Sequence, residues 1–161
     1  MTGRTGTPDK NTAVLLDDIA KAIIRQLQLD GRKSYAAIGK AVGLSEAAVR
    51  QRVQRLTDAG VMQVVAVTDP LEMGFARQAM IGIKAEGALE PIAEELAAMD
   101  EIEYVVITAG SFDLLAEVLC ESDEQLLKVL SERVRSIKGV KVTETFVYLK
   151  LVKQTYSWGV R

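Results

Sequence analysis

Ala47, Gln51 and Gln54 recur at spacings of three and four, with Arg50 and Arg55 beside them. On a helix these residues share one face, while Val49, Val53 and Leu56 share the opposite one. Such a face offers hydrogen-bond donors. The planar fork of Arg matches guanine and the Gln amide pairs with adenine, each good pair contributing about 1–3 kcal/mol of discrimination between bases. Ser45, Glu46 and Ala47, at the start of that helix, are placed to meet base edges or a phosphate. Lys33, Tyr35, Lys40, Arg52 and Arg55 then serve as backbone-positioning contacts. The chemistry is recognition of double-stranded DNA, not bond-making.

A second constellation lies further along. Gly110, Ser111, Phe112 and Asp113 form a turn whose successive backbone N–H groups suit a carboxylate, and Asp113 supplies a charge for an ammonium. Thr143 and Thr145, two residues apart on a strand, add hydroxyls on one face. An amino-acid zwitterion needs both donors and acceptors, and this set has both. The plainer alternative is a hairpin turn in which Asp113 bonds local backbone.

Catalytic equipment is thin. The 161 residues contain no histidine, which removes the commonest general base at neutral pH and the commonest metal ligand. A small enzyme using Asp113 or Glu144 as base would leave the basic N-terminal module without a purpose. Neither a metal nor a cofactor is called for. The single cysteine, Cys120, sits in an apolar stretch and reads as a buried structural thiol.

Net charge is −2, but it is unevenly spread. Residues 1–74 carry ten Lys/Arg against eight Asp/Glu, and residues 75–161 carry ten against fourteen. Between Arg32 and Arg55 six cations meet the single acid Glu46, a basic patch on an otherwise acidic chain. No apolar run is long enough to span a membrane, and Met1 to Thr12 is polar without the core of a signal peptide, so a cytoplasmic location is expected.

The elements that must hold these residues follow from periodicity and punctuation. Apolar residues three and four apart predict a helix over 15–29, closed by Asp30-Gly31. Ser34 caps a short helix over 35–42, Gly43 turns the chain, Leu44 plugs the core, and Ser45 caps a third helix that Gly60 stops. This is helix-turn-helix spacing. A strand is expected over 61–67, within a linker running to residue 74. Beyond it come a strand over 78–85, a helix over 89–99, strands over 103–109 and 114–120, a helix from Ser122 or Asp123 to 137, and a strand over 140–152.

The fold class is therefore α+β: an N-terminal helix-turn-helix, winged-helix-like, over 15–60, and a ferredoxin-like βαββαβ domain over 75–152. Tails occupy 1–14 and 153–161, the second offering Tyr156 and Trp158 for packing on another subunit. The sheet face that no helix covers is expected to carry Val105, Ile107, Leu115, Val147 and Leu149, and so to seek a second copy of the chain.

Leu16-Asp17-Asp18-Ile19, Asp30-Gly31-Arg32, Ser34-Tyr35 and the run from Val42 to Val49 resemble the DNA-binding half of the Lrp/AsnC (feast/famine) transcription regulators. Val106 to Leu115, and Gly139-Val140 with Thr143-Glu144-Thr145, are similar to that family's regulatory (RAM-type) domain. The resemblance spans about residues 15–152. It implies a homodimer built on the ferredoxin-like domain, assembling further into tetramers or octamers, with an amino acid or related small-molecule effector held between dimers. Phe112 stands where many relatives carry tyrosine, which removes one hydroxyl from that site. An architectural protein that compacts DNA without any effector would use the same basic helix and oligomeric core.

Overall fold

The computed structural model describes residues 16–156. Contacts divide them into two compact units, residues 16–66 with 153–156, and Val67–Val152. The N-terminal unit holds three helices, α1 (Asp18–Leu29), α2 (Tyr35–Val42) and α3 (Glu46–Asp58). Each begins on a side-chain cap: Asp17 accepts from Ala20 N–H at 2.7 Å, Ser34 from Ala37 at 3.2 Å and Ser45 from Ala48 at 3.2 Å. Gly43 adopts φ 74°, the left-handed conformation that ends α2 and redirects the chain. Ile23, Leu27, Ile38, Val49 and Val53 form the core, sealed by Leu44, Val42 and Met62.

The second unit contains β1 (Arg77–Ala85), α4 (Leu89–Ala97), β2 (Ile102–Ile107), β3 (Leu114–Cys120), α5 (Asp123–Lys128) and β4 (Val140–Val147). The sheet is antiparallel throughout, in the order β2-β3-β1-β4, the ferredoxin-like arrangement. Its covered face, with Ala79, Ile81, Ile83, Leu114, Ala116 and Val118, packs on Ile92, Leu96, Val129 and Val134. Cys120 is buried there too, and burial pushes its thiol up from the ordinary value, an inert setting.

Four expectations need correction. The strand over 61–67 does not form: residues 62–69 have no regular structure, and Val64, Val65 and Val67 are exposed. β-branched composition favours a strand only where a partner supplies the ladder. The last helix is not continuous, since α5 passes into a π turn over Val129–Arg133 and a 3-10 turn over Val134–Ser136. β4 stops at Val147, short of 152. Finally, the uncovered face has different members. Register aligns Val105, Ile107 and Val147 with covered Ala116, Leu114 and Ala79, while Leu149 lies beyond the strand. A bulge between Ile102 and Tyr104 shifts the alternation on β2. Of the five residues only Leu115 belongs there, beside Met80, Val106 and Phe146. Trp158 and residues 1–15 lie outside the described residues.

On that uncovered face Gln78 Nε2 donates to Glu117 Oε1 at 2.9 Å. Burial, and then the bond to Glu117, push the Tyr148 phenol up to about 12.

Candidate DNA-reading helix and effector turn

Capping sets the start of α3, and its buried residues Val49, Val53 and Leu56 fix which side faces out. Ser45, Glu46, Ala47, Arg50, Gln51, Gln54 and Arg55 are all exposed. Ala47, Ala48, Arg50, Gln51, Gln54 and Arg55 line one open, shallow concavity. Its donors are in two states. Arg50 Nη2 bonds Glu46 Oε1 at 2.9 Å, with its guanidinium carbon 5.2 Å from the centre of the Tyr35 ring. Gln54 Nε2 donates to Asp58 Oδ1 at 2.7 Å. Among the described residues, the side chains of Gln51 and Arg55, and that of Lys40 on α2, make no hydrogen bond or ion pair.

Two cations expected on the duplex backbone are engaged within the module. Lys33 Nζ donates to Gln26 Oε1. Arg52 Nη1 donates to both carboxylate oxygens of Asp17, at 2.9 and 2.8 Å, tying α3 to the cap of α1. The Asp17 carboxyl is held below its ordinary value by the Ala20 N–H and then by Arg52. A depressed carboxylate contributes stability that is complete above its unfolded value, near 3.8, and lost as pH falls through the folded value. Acid titration of helicity should therefore show the wild type losing stability below about pH 4, with Asp17→Ala lacking that part of the loss. At pH 7 the same variant should be less stable by about 1 kcal/mol, chiefly through the lost cap.

Sequence reasoning passed over Gly39. A Cβ there would lie 2.5 Å from the Leu44 carbonyl oxygen, so α2 and the turn before α3 pack backbone against backbone. Its only sequence signal is a glycine inside a short helix.

The turn between β2 and β3 is closed by its own bonds. Thr108 N–H donates to Asp113 O at 2.8 Å, Thr108 Oγ1 to Phe112 O at 2.5 Å, and Asp113 N–H to Ile83 O at 2.9 Å. Asp113 Oδ2 accepts from Ala85 N–H at 2.8 Å, so this carboxylate anchors the end of β1. Gly110 and Ser111 are exposed. Phe112 lies on the uncovered face, where a Cβ on Gly82 would meet its ring at 2.7 Å, and it packs edge-on against Phe146 at 6.1 Å. Gly82, like Gly39, was not singled out.

Thr143 and Thr145 are in register with Ile83 and Ile81 and so share the covered face. Thr143 Oγ1 accepts from Arg135 Nε at 2.9 Å. Leu114, Ile83 and Thr143 form one row across β3, β1 and β4, placing the threonine about 10 Å from the turn's strand, two strand spacings away. One subunit thus brings Gly110, Ser111, Phe112 and Asp113 together but leaves Phe112 and the threonines on opposite faces. Among the described residues no His/Cys/Asp/Glu group is arranged to hold a metal, and no helix is long and apolar enough to cross a membrane.

Residues 16–57 match the model of the AsnC-type helix-turn-helix domain, and residues 75–161 match that of a C-terminal dimeric alpha+beta barrel domain of AsnC type. The chain is 36% identical over 149 residues to the HTH-type transcriptional regulator FL11 of Pyrococcus furiosus, covering 91% of this chain and 98% of that one. Its fold resembles the leucine response regulatory protein of Mycobacterium tuberculosis, with TM-score 0.77 and 28% identity over 86% of this chain and 96% of the other. It also resembles a Neisseria meningitidis transcriptional regulator solved with L-Met, with TM-score 0.81 and 24% identity over 90% and 97%. That last likeness is one of fold.

Proposed function

Because the chain belongs to the AsnC/Lrp family, whose members are DNA-binding transcriptional regulators and not enzymes, we propose that it reads a specific operator through α3 and answers to an amino acid or related metabolite. The observation that carries the reading is the outer face of α3, where Gln51 and Arg55 stand exposed and unbonded beside Arg50 and Gln54. Arg and Gln at these positions address guanine and adenine in the major groove. Tyr35 and Lys40 hold the phosphates, Lys33 adds the ammonium hydrogens that Gln26 leaves unused, and Arg52 acts through Asp17 by fixing α3 on α1.

The effector reading rests on the 110–113 turn and on the L-Met bound by the Neisseria relative. Since Phe112 and the threonine pair occupy opposite faces, the site would be completed by a second copy, consistent with a homodimer that assembles into tetramers or octamers in the cytoplasm. A bound effector regulates only by favouring one assembly over another.

Gln51→Ala should cost about 1–3 kcal/mol on the operator and relax preference at one base position. Lys40→Ala should weaken binding to operator and random duplex alike and reduce the salt dependence. Gel-shift titrations of both variants at two salt concentrations check this. Equal losses for both on every sequence would move the protein to the DNA-compacting reading.

A further inference from the structure

We propose that Glu46 is a specificity-determining residue, which restrains Arg50 from indiscriminate phosphate binding and itself reads a cytosine next to the guanine that Arg50 takes. This rests on the reading of α3 as the DNA-contacting helix and adds a role for its acid.

Glu46 is the one acid among the residues from Arg32 to Arg55, and it is exposed at the first residue of α3, one turn before Arg50 and at the margin of the face that Ala47, Gln51 and Gln54 share. Recognition helices use their N-terminal residues on base edges. Both partners of the Glu46–Arg50 pair are well exposed, at 53% and 65%, so the pair is not a buried strut. Arg50 is instead held at two points. Its guanidinium lies over Tyr35 and surrenders one Nη2 hydrogen to Glu46, which leaves the rest of the fork for an acceptor such as the O6 and N7 of guanine. Ordering the side chain in the free protein lowers the entropy lost on binding.

The carboxylate also faces wherever the phosphates will be. On random DNA it adds repulsion that only its pair with Arg50 moderates, and a phosphate that captures Arg50 must displace Glu46 and uncover the full charge. On the right sequence the N4 amino group of cytosine donates to Glu46, and the repulsion is offset there alone. Specificity is a difference of affinities, so an element that weakens the wrong complex raises it as surely as one that strengthens the right complex.

The test compares wild type, Glu46→Gln and Glu46→Ala by selection from a random duplex library. Affinities follow for the enriched sequence and for a random 30-base-pair duplex. Glu46→Gln keeps a side chain of the same length and removes only the charge, so folding is not in question. Wild type should enrich cytosine beside guanine in each half-site. Both variants should bind random duplex about three- to tenfold more tightly. Glu46→Ala should lose the cytosine preference by about fivefold or more. Unchanged random-duplex affinity overturns the proposal, and so does a rise without loss of base preference, because Glu46 would then act as bare charge. In either case Gln51→Ala tells the two layers apart. If it still weakens operator binding, only the role of Glu46 falls; if Gln51→Ala and Arg55→Ala both leave binding intact, α3 does not read DNA and both readings fall.

Discussion

Gly39→Ala is expected to weaken operator binding at least about tenfold while the C-terminal unit stays folded. In an open helix position this change would stabilise, since alanine is the better helix former by about 1 kcal/mol. Here the new methyl would lie 2.5 Å from the Leu44 carbonyl oxygen and 3.4 Å from its carbon. Neither atom can swing aside as a side chain would, because Leu44 N–H is itself bonded to Gly39 O at 2.9 Å. Relief requires the turn to widen, which lifts Leu44 from the core and moves α3 off its seat on α2. Overpacking that displaces backbone costs about 1–3 kcal/mol or more, and a module of three short helices has little reserve. Calorimetry should show the transition of the N-terminal unit falling by several degrees, with DNA affinity down at least about tenfold. An unchanged or raised Tm would show that the turn yields to the methyl without cost.

The complementary expectation concerns Ile81, fully buried on β1 between Ala116 of β3 and Thr145 of β4. Ile81→Ala removes three carbons from a strand that is bonded on both sides and cannot collapse inward. The expected loss is about 2–5 kcal/mol, confined to the C-terminal unit because the two units have separate cores. Urea unfolding should move only that unit's transition, with the helices of the N-terminal unit persisting. DNA affinity should fall as well, through loss of the second DNA-binding head of the proposed dimer and not through any change at α3. A single transition shifted as a whole would show the units to be coupled.

The DNA-reading half was largely legible because its determinants are local. Ser34, Ser45 and Gly43 each set a boundary from within a few residues, and the α3 faces follow from helical period alone. What escaped depends on distant backbone. The constraint on Gly39 comes from a carbonyl across the turn, and that on Gly82 from the ring of Phe112 in the turn between β2 and β3. Arg52 reads as one more surface cation until Asp17, thirty-five positions earlier, is seen beneath it. In the sheet, strand identity was readable but faces were not: which side of β4 meets the helices is set by its register with β1, and on β2 a bulge at Ile102/Tyr104 interrupts the alternation. The effector turn was visible as a turn. That Asp113 anchors β1, and that Thr143 lies two strands away behind the sheet, are facts of register that a period-two pattern does not contain.

That same bulge bears on what the protein does when crowded. β2 and β4 are the outer strands of the sheet, and a straight outer strand invites other chains to extend it. β2 is only six residues long and kinked where exposed Glu103 sits, while β4 carries the exposed charges Lys141 and Glu144. Charge and distortion at these margins discourage fibrillar growth, so the sheet can be presented at high local concentration without its edges joining copy to copy.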